Sequence, residues 1–320
     1  MAGTVLARSF LAATLIVGAA LSAGCPNEAR NEGIKRSNAG YKALGSKQYD
    51  TAVTEFKESV ASDKSNHQAW YGLGNAYLQK KTYEPGIEAL ENAVRLKPSD
   101  AMYQLRLGQA LYEGAVDKAR DLEATRTKKK KDDVEIDLRS LNFDSALQHL
   151  EAAAKANPEL YAAHFYIGRI YRAQDKPQQA AEAFTRSIVA WPRFSAPYVA
   201  LGEMYRRWDY PDQAIQVVSQ GVEHVMEQEE KSQLLFVLGM AYFDKLDDSK
   251  AIESFSKAIE IRKDNHDAKF QRGLAYFRKG ELKAADKDLE EYAKAAGPSA
   301  AANKSIAQKI RFQIAAKQGG

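Results

Sequence analysis

HQAWYGLGNAYLQKKTYEPGIEALENAVRLKPSD, residues 67–100, decides the fold. Trp70, Leu73 and Tyr77 recur at i, i+3 and i+7, so they share one face of a helix. Gly74 beside them leaves room for a second helix to approach, and Pro98 closes the segment, since proline ends a helix more readily than it continues one. Outward from Gly74, glycines fall at Gly40, Gly74, Gly108, Gly168, Gly202, Gly239 and Gly273. A second series of small residues runs in step: Ala52, Gly86, Ala146, Ala180, Ala214, Ala251 and Ala285. Both series keep a period of 34 with the same two exceptions, one step of 60 and one of 37. A shared fixed period signals stacked repeats, each too small to bury its own apolar face.

Period and residues together resemble the tetratricopeptide repeat (TPR), in which Trp70, Leu73, Gly74 and Tyr77 take the places of W-x2-L-G-x2-Y. Ile167, Gly168, Tyr171, Ala180, Phe184 and Pro192 repeat the pattern, as do Tyr198, Leu201, Gly202, Tyr205 and Ala214. So do Leu235, Leu238, Gly239, Tyr242, Ala251, Phe255 and Ala258, and then Gly273, Tyr276, Ala285 and Leu289. The first unit departs most, with Arg36 and Ala43 where aromatics are usual. The resemblance implies an all-α, right-handed α-solenoid of seven helix-turn-helix units: 33–66, 67–100, 101–160, 161–194, 195–228, 232–265 and 266–298. Pro177 and Pro211 are expected at the start of second helices, where the missing N–H costs nothing. After Pro298, residues 299–320 read as a capping helix and tail, with Ile306, Ile310 and Ile314 as the apolar stripe and Lys304, Lys309, Arg311 and Lys317 off it.

The step of 60 exceeds one repeat by 26 residues. The two series together confine the excess to the third unit, at about 114–142. That segment holds eight basic and seven acidic residues, including Lys128 to Lys131 followed by Asp132 and Asp133. It reads as a solvated helical extension plus loop, or as a projection for docking a partner or anionic lipid. The step of 37 adds three residues around Glu229, expected in the connection between the fifth and sixth units.

The first helices of such arrays line a concave groove. By that resemblance Tyr71, Asn75, Phe165, Arg169, Val199, Glu203, Phe236, Met240 and Phe270 point into it, with Arg172, Arg206 and Arg207 one turn further on. Arginines between aromatics suit an extended protein or peptide partner with acidic and apolar side chains. Some chaperone-binding members grip a carboxylate with a Lys-Asn-Asn-Lys-Arg set. This sequence lacks it: Asn75 stands alone, and Ser37 and Tyr41 occupy the first-unit places.

Other function classes find little support. A net charge of +4 is small for a dedicated nucleic-acid binder. The five histidines are scattered, with no pair at i+3 or i+4, and no phosphate-binding loop or nucleophile elbow occurs. No metal, cofactor or enzymatic activity is expected. One cysteine excludes an intrachain disulfide.

That cysteine belongs to an address. Arg8 precedes a short apolar run, Phe10 to Ala23, about 21 Å as a helix against a hydrocarbon core of about 30 Å. A basic start, a short apolar centre and small residues describe a signal peptide, residues 1–24. Leu21-Ser22-Ala23-Gly24-Cys25 resembles a bacterial lipobox, although Ser22 stands where a branched aliphatic is usual. The resemblance implies lipidation of Cys25, a tether over 25–32, and an address on the periplasmic face of the outer membrane. The alternative is a conventionally cleaved, soluble periplasmic or secreted adaptor. The favoured reading of the whole is an anchored interaction scaffold of the cell envelope, akin to the pilotin-like lipoproteins.

Overall fold

A computed structural model describes residues 26–295, 297 and 300–318. The proposed signal peptide and Cys25 lie outside the described residues. Among those residues the chain forms fifteen α-helices and no strand. Seven hairpins follow in order: α1 (Pro26–Gly45) with α2 (Tyr49–Ser62), α3 (His67–Gln79) with α4 (Tyr83–Leu96), α5 (Ala101–Thr127) with α6 (Asp144–Ala156), and α7 (Tyr161–Ala173) with α8 (Pro177–Ala190). Then come α9 (Ser195–Arg207) with α10 (Pro211–His224), α11 (Gln228–Asp244) with α12 (Asp248–Ile261), and α13 (His266–Lys279) with α14 (Leu282–Ala295); α15 (Ala301–Gln318) caps the array. Each helix packs on its chain neighbours, and successive first helices also touch one another, as α9 does α11. The result is an all-α solenoid whose stability is a sum over adjacent interfaces.

The glycine series has one physical cause. A Cβ on Gly168 would lie 2.7 Å from the Phe184 ring, and one on Gly239 would lie 2.6 Å from Phe255. On Gly74 or Gly273 it would meet Leu90 at 2.5 Å or Leu289 at 2.9 Å. The second helix's apolar residue, wholly buried, fills the space that each glycine leaves. The small-residue series is the reciprocal feature, with Ala52, Ala180, Ala214, Ala251 and Ala285 all fully buried.

Three other features repeat. The fourth residue of the first helix bonds a carbonyl six residues back: Trp70 Nε1 to Lys64 O at 3.0 Å, Gln104 Nε2 to Pro98 O at 2.7 Å, and Tyr198 Oη to Pro192 O at 3.0 Å. His164 takes the same place, with Nε2 2.8 Å from Pro158 O, so its task is to close the inter-unit loop. Acids early in second helices pair with bases at the end of the next unit's first helix. These pairs are Asp50 with Lys80, Asp212 with Lys245 at 2.6 Å, and Asp248 with Arg278. The turn inside each hairpin contains one left-handed residue, supplied by Lys47, Lys81, Lys128, Asp175, Asp209, Leu246 and Gly280. Gly280 alone of these seven is free of the Cβ penalty.

Three local expectations change, and the third unit's excess takes the helix-plus-loop form expected of it. α1 begins at Pro26, so the residues expected as a tether, from 26 to 32, are helical; proline is tolerated in a first turn. The three extra residues near Glu229 lengthen a helix instead of a loop: α11 starts at Gln228 and has 17 residues against 13 for α9. The third unit's excess extends α5 to 27 residues and then folds back through 3₁₀ turns at Lys131–Asp133 and Leu138–Ser140. Lys131 Nζ lies 2.8 Å from both Asp117 and Asp121, Phe143 stacks on Tyr112 at 4.8 Å, and Val134 is buried, so the return segment is pinned to its own helix. In the cap Ala307 and Ile314 are buried and Ile310 half-buried beside them, while Ile306 is exposed; Arg311 reaches Asp286 at 2.7 Å.

Candidate functional site

The first helices place one face of each along the inner side of the array. Tyr71 and Asn75 on α3 meet α5 there: Tyr71 stacks on Tyr103 at 4.7 Å, and Asn75 Oδ1 accepts from Arg106 Nε at 2.6 Å. Arg106 Nη1 also donates to Gln109 Oε1 at 3.2 Å. Both partners of Arg106 are neutral, so its charge is oriented but not cancelled.

One turn along the array lies the densest cluster. The Arg169 guanidinium sits 4.7 Å over Tyr112, 5.5 Å over Tyr166 and 5.8 Å over Phe165. Phe165 itself meets Phe194 edge-on at 5.0 Å. Tyr166 donates its hydroxyl to Glu113 Oε1 at 2.5 Å; burial, with Glu113 acting in the same direction, holds that phenol well above the usual tyrosine range. Arg172 Nη1 reaches Glu203 Oε2 only at 4.0 Å. Burial pushes the Arg172 guanidinium down; Glu203 opposes that, and the Arg169 and Arg207 cations reinforce it. Arg207 is exposed on the same side.

Phe165, Arg169 and Arg172 from α7, Ser195, Val199 and Glu203 from α9, and Gln233 from α11 enclose a cleft of about 240 Å³. Phe236 lies half-buried in a separate cleft of about 430 Å³ beside Glu229, Glu230 and Asp267. The basic character of the inner face is therefore concentrated at α5, α7 and α9, and acids collect at α11 and α13.

Not every residue expected in the groove is available there. Phe270 is buried, 3 % exposed, packed at 4.7 Å on Tyr292 beneath the capping helix, and Val199 is buried, 8 % exposed, in the core between α9 and its neighbours. In the last unit α15 covers the surface that other units leave open. Arg206 is held by Asp244 of α11 at 2.5 Å and staples two units together. Tyr71, Asn75, Phe165, Arg169, Arg172, Arg207 and Phe236 keep partial or full exposure. Arg106 belongs to the same surface and was missed, as was Tyr112, which is 1 % exposed and lies beneath Arg169 as its support. Both stand in the third unit, whose long α5 obscures the count of places; aligning it on Gly108 would have found them.

Among the described residues no group of three or more His, Cys, Asp or Glu is arranged to hold a metal ion, and no helix is long and apolar enough to cross a membrane. The fold is that of a helical-repeat protein. Models of the tetratricopeptide repeat match residues 43–111, 135–193 and 239–280, and the chain belongs to that family. Members of the family mediate protein–protein interactions, usually without catalysis.

Curated relatives include anaphase-promoting complex subunit 3 of Schizosaccharomyces pombe, 24 % identical over 48 % of this chain and 24 % of that protein. A TPR repeat-containing protein of Methanocaldococcus jannaschii is 23 % identical over 76 % of this chain and 53 % of its own length. The chain thus spans about a quarter of the first relative and about half of the second. Among solved structures, PilF of Pseudomonas aeruginosa aligns with a TM-score of 0.54 at 15 % identity, covering 80 % of this chain and 98 % of that one. PilW, described as a type IV pilus biogenesis factor, gives 0.53 at 15 % identity, covering 71 % and 92 %. A tetratricopeptide repeat protein of Parabacteroides merdae gives 0.53 at 12 % identity, covering 90 % and 99 %. At these identities the likeness is one of fold.

Proposed function

We propose that this protein is a membrane-anchored interaction scaffold of the bacterial cell envelope that binds a protein or peptide partner in its concave groove. The observation that carries the groove is the cluster around Arg169: cations oriented by neutral partners or by aromatic rings, with few carboxylates to cancel them. Exposed, oriented arginines beside rings are what binding hot spots are made of.

The anchoring half of the proposal rests on residues 1–25, where a short apolar run ends at Leu21-Ser22-Ala23-Gly24-Cys25. Lipid on Cys25 would hold the array at a membrane without a spanning helix, because several acyl chains together anchor stably. The periplasmic face of the outer membrane is the proposed location. PilF and PilW share the fold, and PilW's description as a pilus biogenesis factor makes assembly of an envelope complex a reasonable task by analogy.

Two measurements test the two halves. Cell fractionation of the natural chain and Cys25→Ser should give a membrane-bound protein and a soluble or unprocessed one. Equal, soluble behaviour of both would leave a free adaptor without an anchor. Cross-linking in cells with a photoreactive residue at Gln233, exposed in the inner cleft, should trap a partner that is not trapped from a position such as Val189 on α8. Equal trapping from the two faces would refute the groove.

A further inference from the structure

We infer that this protein associates head to tail with further copies of itself, the exposed face of the capping helix α15 of one copy seating Phe312 in the cleft between α6 and α8 of the next.

The cleft is one half of the argument. It measures about 900 Å³, against about 240 Å³ for the inner cleft, and Ala154, Pro158, Ile167, Ala183, Val189 and Ala190 form its apolar wall. The repeat shows its cause. Eight places after the small residue of the second helix stand Val60, Val94, Ile188, Val222 and Ile259, each clustered with residues of the next unit's first helix. Ala154 takes that place in the third unit, as Ala293 does only in the last, before the cap. A branched side chain is therefore missing from this seam, and Val189 stands 75 % exposed at the rim. Close packing is the rule between helices, so the gap presents apolar surface without a partner. Its lining on α8 runs from Gln179 to Ala190, three turns of helix or about 17 Å.

The other half is a helix with a side chain to spare. α15 turns Ala307 and Ile314 inward and leaves Phe312 78 % exposed on its far side, where Lys309 and Ala316 are its neighbours at i−3 and i+4. Residues 299–320 hold four basic side chains and no acidic one. Arg311 is taken by Asp286 and Glu290, and no described carboxylate lies within 4 Å of Lys304 or Lys309. The cleft rim has the opposite balance. Glu151, Glu159 and Glu182 stand there against Lys155 and Arg186, and Arg186 is already held by Glu182 at 2.6 Å. A ring on a basic helix and an apolar gap with a more acidic rim match in shape and in charge.

Three units separate this cleft from α15 within one chain, so the contact runs between copies. The two surfaces differ, which makes the contact heterologous: it propagates unless the rotation closes a ring. The inference stands apart from the groove. His164, Ile167 and Tyr171 line this cleft from α7, whereas Phe165, Arg169 and Arg172 line the inner one. A partner trapped from Gln233 and a second copy trapped from Val189 are thus different products.

The test is sedimentation velocity of the whole mature chain carrying Cys25→Ser, which excludes an intermolecular disulfide, between about 1 and 100 μM. This parent is compared with Phe312→Ser, with Ala154→Phe, which fills the cleft, and with Val189→Lys plus Glu159→Lys, which turns the rim basic. Each is checked for helical content. The rim variant is altered only at exposed positions and carries the test should Ala154→Phe not fold. The parent should grow past the dimer as concentration rises. Each variant alone should raise the dissociation constant about tenfold or more, as loss of an interface anchor does. An equimolar mixture of Phe312→Ser with either cleft variant keeps one intact ring and one intact cleft, so it should associate again and stop at the dimer.

A parent that stays monomeric at the highest concentration overturns the inference. Association that Phe312→Ser or the rim variant leaves unchanged overturns it as well. If the single variants lose association and the mixture of Phe312→Ser with the rim variant stays monomeric, the ring and the cleft are not each other's partners, and the inference falls.

Discussion

Replacing Gly168 by alanine opposes two effects of known sign. In a helix interior alanine is better than glycine by about 1 kcal/mol. Here the added Cβ would stand 2.7 Å from Cδ1 and Cε1 of Phe184, a ring with no exposure, held between α7 and α8. Overpacking of that kind costs about 1–3 kcal/mol, toward the upper end where the neighbour is a rigid buried ring. The expected balance is a loss of about 1–2 kcal/mol.

Gly86→Ala is the matched control. Its Cβ would meet the tip of Leu78 at 3.1 Å, Tyr77 Cβ at 3.3 Å and the Gly74 carbonyl oxygen at 3.4 Å, so the flexible Leu78 tip gives way and the two backbone-bound atoms are met a few tenths of an ångström too tightly and not in a clash. The propensity gain then survives, and stability should stay level or rise by up to about 1 kcal/mol. Urea unfolding followed by far-ultraviolet circular dichroism measures both as shifts in midpoint at constant slope. Hydrogen exchange in α7 and α8 covers the event that the array unfolds unit by unit. Equal effects of the two substitutions, or a Gly168→Ala protein as stable as its parent, would refute the close-approach account of the glycine series.

Leu246 is a left-handed residue, φ 66°, with its side chain in solvent; Leu246→Gly should stabilise by about 0.5–1 kcal/mol in thermal unfolding, the Cβ penalty less the added chain entropy. Arg272→Met should cost about 3 kcal/mol, because it strips Asp288, a buried acid, of its two-point partner at 2.6 and 2.8 Å, and much of the loss should return in Arg272→Met with Asp288→Leu. His149 has Nδ1 2.7 Å from Gln104 Oε1, and burial pushes its imidazole below the ordinary value. The unfolded chain therefore takes up that proton first as pH falls from about 6.5. Its stabilisation is complete above that pH and is lost toward the lower folded value, so His149→Gln should flatten urea midpoints measured between about pH 7 and 5.

The repeat was written in the chain because close packing at a helix crossing admits so few side chains. Glycine opposite phenylalanine or leucine, alanine opposite the same seam, and proline at the helix starts recur wherever two helices must touch. A 34-residue period in Gly40 through Gly273 is the trace of that single constraint. Even the insertion was located by it, since both series slipped at one point. Local sequence also carries turn and cap chemistry, so the hairpins could be delimited from Pro177, Pro211 and Pro98.

What tertiary structure decided is which inner-face residues remain free. Phe270 sits at the same place in its unit as Tyr71, yet α15 covers it, and only the path of the cap reveals that. Arg206 and Arg207 are adjacent in sequence. Asp244 of the next unit captures the first and leaves the second in solvent. Arg169 lies over Tyr112, a buried residue of the lengthened α5 that no count of places had brought beneath it. Pairing of charges and covering of faces depend on distances between units, which the chain determines through packing and not through any local pattern.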